Sequence, residues 1–119
     1  MKGAAAKFST PSTSKRNGHM GWADLPSPVR EALKSLAQEL RPQGLELFLF
    51  GSFAEGRAWP TSDLDIAYTG RFSQATEKEL RHRLEELPTI RPVDLVPLAT
   101  ATPALIDEVH RTGLPLADQ

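Results

Sequence analysis

The chain has 119 residues, a formal net charge of −1 and no cysteine. That leaves room for one domain around one modest core and excludes a disulfide framework, a thiolate zinc site and a cysteine nucleophile. Its apolar runs are far too short to span a bilayer and no signal-peptide core precedes them, so a cytoplasmic protein with no membrane partner is expected.

Residues 1–23 read as a separate leader. They carry Lys2, Lys7, Lys15 and Arg16, no acid, and much Ala, Ser, Thr and Gly, the composition of a disordered tail. Gly18-His19-Met20 looks like a cloning scar, so the leader is expected to be vector-derived, with Met20 the natural start. A basic nucleic-acid-binding arm or an organellar presequence is the other reading. Residues 24–119 are expected to form the single folded domain. Without those four cations ten basic residues face fifteen acidic ones, a formal charge of −5, which is a poor balance for holding a polynucleotide directly.

Ser27-Pro28 predicts a helix start, serine capping and proline filling the first position. Val29, Ala32, Leu33, Leu36, Ala37 and Leu40 then recur at helical spacing until Pro42 and Gly44. Leu45 to Phe50 predicts the first strand. Gly51-Ser52 turns the chain, and Ala54 to Ala58 predicts a short helical stretch broken near Gly56. Asp63 to Thr69 predicts a second strand, closed by Gly70. The short link makes these two strands antiparallel neighbours.

A third helix is expected from Ser73 or Thr76 to Leu87, with Thr76 and Glu79 as a capping box and Leu80, Leu84 and Leu87 on its apolar face. His82 reads as a surface residue. Pro88 stops this helix, and Ile90 to Leu98 predicts a third strand. Its crossover connection implies that it runs parallel to the second. Thr102-Pro103 opens a last helix with Leu105, Ile106 and Val109 inside, ended by Gly113. Leu114-Pro115-Leu116 packs back on the domain or meets a partner.

The chemistry concentrates in Gly51 to Asp65, GSFAEGRAWPTSDLD. Gly51 lets a polyanion approach the backbone and Ser52 adds a hydroxyl. Side chains alternate along a strand, so Asp63 and Asp65 share a face. Two carboxylates so close suit a hard cation between them, Mg²⁺ or Mn²⁺, completed by water and nucleotide phosphates. The parallel third strand brings Asp94 to the same space. Ser62 caps or braces the turn before the acids.

In its order and spacing this stretch resembles the G-S, D-x-D signature of the DNA-polymerase-beta-like nucleotidyltransferases, in the short form of the minimal nucleotidyltransferases. The resemblance implies an α/β (α+β) nucleotidyltransferase fold, a short mixed sheet with helices packed mainly on one face, formed partly by Leu64, Ile66, Val93 and Leu95. It implies that Gly51 and Ser52 hold the β and γ phosphates of ATP or another NTP, with Arg57 and Ser62 beside the nucleotide. Asp63 and Asp65 would carry two Mg²⁺ ions, and Asp94 would complete the ion nearer the acceptor. Relatives often have a basic residue where Glu55 stands, which leaves Arg57 as the nearby positive charge. Minimal members often act as antitoxins that transfer AMP to a tyrosine of a HEPN-domain toxin, and such a protein partner is implied here. The alternatives are a non-catalytic module that inhibits its partner by contact and an enzyme adenylylating a small molecule. A homo-oligomer is left open.

Overall fold

The computed structural model describes residues 19–119; most of the leader expected from the sequence lies outside them. Met20 makes an isolated bridge with Ala58, and both Met20 and Trp22 pack against the main core.

Helix α1, Ser27–Leu40, buries Val29, Leu33, Leu36, Ala37 and Leu40, five of the positions that its periodicity selects. Ser27 does not cap it. Pro26 occupies the cap position with no side-chain bond, and its carbonyl accepts from the N–H groups of Val29 and Arg30. Strand β1, Leu45–Phe50, then enters the sheet. Helix α2, Ser52–Glu55, begins directly after Gly51, earlier than the expected start at Ala54, because Gly51 takes a positive φ that turns the chain at once. Gly56, left-handed at φ 74°, ends it, as its place in the sequence suggests.

Strand β2 is Leu64–Gly70, helix α3 Gln74–Glu85, strand β3 Val93–Pro97, helix α4 Pro103–Thr112 and strand β4 Leu114–Pro115. Ser73, not Thr76, caps α3: its Oγ accepts from the N–H of Thr76 at 3.1 Å. The expected capping box is absent because Thr76 is buried in the first turn, where its hydroxyl donates to Gln43 Oε1. Helix α3 stops two residues short of Leu87 and β3 is shorter than Ile90–Leu98, bounded by Pro92, which has no N–H to give the ladder, and by Pro97. Thr102 caps α4 as expected, accepting from the N–H of Leu105.

The sheet order is β3-β2-β1-β4. Strands β1 and β2 are antiparallel, β2 and β3 parallel, both as the connections require. The sheet is therefore mixed, and helices α1 and α3 cover one face. There Leu45, Leu47, Leu49, Leu64, Ile66 and Tyr68 meet Leu33, Leu36, Leu80 and Leu84, with Val93 and Leu95 packed at the margin. Alternation sends Phe48, Phe50, Ala67 and Val96 to the opposite face, where α4 covers a smaller cluster with Leu105, Ile106 and Val109. The C-terminal segment packs back: Leu114 and Pro115 pair with Leu49 and Phe48, and Leu116 is fully buried.

Candidate active site

One end of the sheet gathers the exit of β1 and the starts of β2 and β3. The register makes Phe50 the partner of Asp65, and Asp65 the partner of Asp94. Two acids expected to share a space from sequence thus stand side by side across a parallel pair, on the face that also carries Ala67 and Val96. Asp63 stands just ahead of β2, outside the ladder, and is exposed, as is Asp94. Gly51 follows Phe50 directly. A Cβ on Gly51 would lie 2.3 Å from Asp65 Oδ2, so the glycine turn and the half-buried carboxylate occupy adjoining space.

Among the described residues the carboxylates of Asp63, Asp65 and Asp94 form no hydrogen bond or ion pair. Burial pushes the Asp65 carboxyl up to about 6, and the neighbouring charges of Asp94, Asp63 and Glu108 push the same way. Glu108, on α4, is the acid that sequence reasoning missed. In the sequence it stands beside Asp107 on the polar side of an amphipathic helix and reads as solvated; only the packing of α4 on the second face brings it toward Asp65.

No three carboxylates or imidazoles among the described residues are gathered so that they alone hold a metal ion. The donor chemistry still fits a hard divalent cation. The acids offer only carboxylate oxygens, free of protein partners, around one group whose charge is disfavoured until a cation joins it. Mg²⁺ commonly takes one or two carboxylates and completes its shell with phosphates and water, which suits acids spread along an open edge. Two concavities, of about 380 and 260 Å³, lie elsewhere: one between α3 and β3, lined by Leu84, Leu87 and Val93, the other near Tyr68 and Thr100.

Residues 31–119 match the sequence model of the family described as Polymerase beta, Nucleotidyltransferase. The chain belongs to this family. A solved structure assigned as a minimal nucleotidyltransferase is 32% identical, with 82% of this chain and 97% of that one covered, at a TM-score of 0.59. A toxin–antitoxin complex with AMP-PNP is 28% identical over 73% of this chain and 71% of its own, at a TM-score of 0.56. A mutant of the MntA–HpeT toxin–antitoxin complex is 26% identical over the same shares, at a TM-score of 0.55. No curated protein matches the chain at a significant level.

The remaining residues singled out in this nucleotidyltransferase fall around the same sheet end. Ser52 opens α2, and its hydroxyl has no protein partner among the described residues. Ser62 braces the turn before Asp63: its Oγ accepts from the N–H of Trp59 at 2.9 Å, and its own N–H donates to the Trp59 carbonyl. Arg57 is engaged by Glu55. Its Nε donates to Glu55 Oε1 at 3.2 Å and a terminal nitrogen to Oε2 at 3.4 Å. The hydrogen bond to Glu55 and its charge, together with that of Glu108, hold the Arg57 guanidinium pKa above its usual value.

Proposed function

We propose that this nucleotidyltransferase moves AMP from ATP onto a protein hydroxyl, a tyrosine of a HEPN-domain toxin, and so acts as a cytoplasmic antitoxin. The observation that carries the reading is the alignment of Asp65 with Asp94 across β2 and β3, beside a glycine turn shaped around the Asp65 carboxylate. An open edge suits an acceptor presented by another macromolecule. The likeness to toxin–antitoxin complexes, one of them with AMP-PNP, supports both the partner and the nucleotide. Among the described residues no helix is long and apolar enough to cross a membrane.

In this reading Gly51 and Ser52 receive the β and γ phosphates, the glycine by leaving room and the serine through its free hydroxyl. Asp63, Asp65 and Asp94 hold two Mg²⁺ ions, or Mn²⁺ in their place. When bound, these ions supply the Lewis acidity that neutralises the phosphates and favours the deprotonated acceptor. The chain's own residues position: β2 and β3 fix Asp65 and Asp94 by their ladder, and Ser62 holds the turn from which Asp63 projects. The acceptor oxygen attacks the α phosphorus, the bond to the β-phosphate oxygen breaks, and pyrophosphate leaves. The partner's hydroxyl proton passes to solvent.

The test is the mass of a cognate HEPN-domain partner after incubation with this chain, ATP and Mg²⁺. A gain of one or more adenylyl groups, lost with Asp65→Asn, is expected; an unchanged mass would sink the reading.

One observation favours a second reading. Glu55 occupies Arg57, a cation just beyond helix α2, and a cation so neutralised suits a module that inhibits its partner by contact alone. The two part on Asp65→Asn, which abolishes protection by a catalytic antitoxin and leaves a steric one protective.

A further inference from the structure

Asp65 and Asp94 are held by strand pairing, but Asp63 is not. It follows an exposed turn, Trp59 to Ser62, outside any ladder, so its position depends on whatever ties that turn down. Arg91, in the segment leading into β3, makes the tie. One terminal nitrogen of its guanidinium donates to the carbonyl of Pro60 at 2.6 Å and to that of Ser62 at 2.7 Å. The same guanidinium lies over the Phe53 ring, 4.7 Å from its centroid. Phe53 is the buried anchor of α2, immediately after Gly51-Ser52.

Arg91 is itself fixed on both sides. Its N–H donates to Thr89 Oγ1 at 3.0 Å. The next residue, Pro92, accepts at 2.9 Å from the N–H of Leu64, the residue that follows Asp63. A planar guanidinium can donate in its plane to two carbonyls while its face rests on an aromatic ring, a geometry that lysine reproduces only in part.

We infer that Arg91 is a positioning residue that locks the turn carrying Asp63 to the helix that follows the glycine–serine turn, so that the two halves of the site move as one. In this role it acts through the carbonyls of Pro60 and Ser62 and the Phe53 ring. The functional half of this inference rests on the nucleotidyl-transfer reading; the structural half does not.

The full-length chain and its Arg91→Met and Arg91→Lys variants are compared in two measurements. Methionine keeps an apolar contact on Phe53 and loses both donors; lysine keeps a donor. Amide hydrogen exchange is followed at Ser62 and Leu64 in the acid turn, at Glu55 in α2 and along α1, and binding of ATP with Mg²⁺ is followed by calorimetry. In Arg91→Met, exchange at Ser62, Leu64 and Glu55 is expected to rise about tenfold with α1 unchanged, and ATP affinity to fall about tenfold, the loss of hydrogen bonds from a charged donor. Arg91→Lys should recover part of both.

Unchanged exchange at these three amides, or an increase shared equally by α1, overturns the inference. The expected exchange pattern with an unaltered ATP affinity overturns its functional half. No ATP binding by the wild type, together with the expected exchange pattern in Arg91→Met, overturns the nucleotidyl-transfer reading and supports the lock.

Discussion

Gly51 and Asp65 share one small space at the end of the sheet. Gly51 sits at φ 75° and ψ −152°, and any Cβ placed there would meet the Asp65 carboxylate at 2.3 Å. The glycine thus answers two demands, a backbone conformation that side chains rarely adopt and room for a carboxylate that cannot withdraw into the core. Gly51→Ala should therefore cost stability, about 1–3 kcal/mol from the positive φ alone, and should weaken Mg²⁺-dependent nucleotide binding by displacing Asp65. Thermal unfolding and calorimetry on the same variant separate the two effects.

Asp65 also gives the fold a pH dependence. Its carboxyl titrates near 6 in the folded chain against 3.8 as the ordinary value. The group favours the folded state fully below about pH 4, and that contribution is lost as pH rises through 6. Asp65→Asn should hence stabilise the metal-free protein at pH 7, by about 1 kcal/mol once solvent exposure is discounted, and the gain should vanish below pH 4. Urea unfolding at pH 4 and pH 7.5 tests this; a gain of equal size at both pH values contradicts it.

The pair formed by Glu55 and Arg57 is exposed, so breaking it should leave the melting temperature nearly unchanged. Its expected consequence lies in binding. Glu55→Gln should free the guanidinium and strengthen ATP binding by a few fold, roughly the effect of one exposed ion pair. Arg57→Ala should weaken it. Equal affinities for the wild type and both variants would show that Arg57 does not reach the phosphates.

Much of this was legible in the sequence, because the decisive signals are local. Six apolar-rich residues before Gly51, alternation after Asp63 and a helical stretch between β2 and β3 suffice to set antiparallel and parallel neighbours, and with them the meeting of Asp65 and Asp94. The less legible parts depend on tertiary packing. Ser73 and Thr76 are equally good caps by composition, and burial of Thr76 against Gln43 decides between them. Leu114-Pro115 is too short to show a strand period, yet it pairs with β1. Glu108 looks like any solvated helix acid until α4 settles on the second face.

The end of the chain is part of the core and should behave as such. Leu116 is fully buried among residues of α1 and β1, and Leu116→Ala should cost about 2–4 kcal/mol. Denaturant titration measures it, and a loss below about 1 kcal/mol would mean that the C-terminal turn is dispensable to the fold.

We propose that the aligned acids make this sheet end a metal-dependent nucleotide site. Calorimetric titration of the chain with ATP, with and without Mg²⁺ and repeated on the double variant Asp63→Asn/Asp65→Asn, tests it most directly. Binding that requires Mg²⁺ and disappears in the double variant is the predicted result. Binding that ignores both the metal and the two substitutions, or no binding by the wild type, would contradict the account.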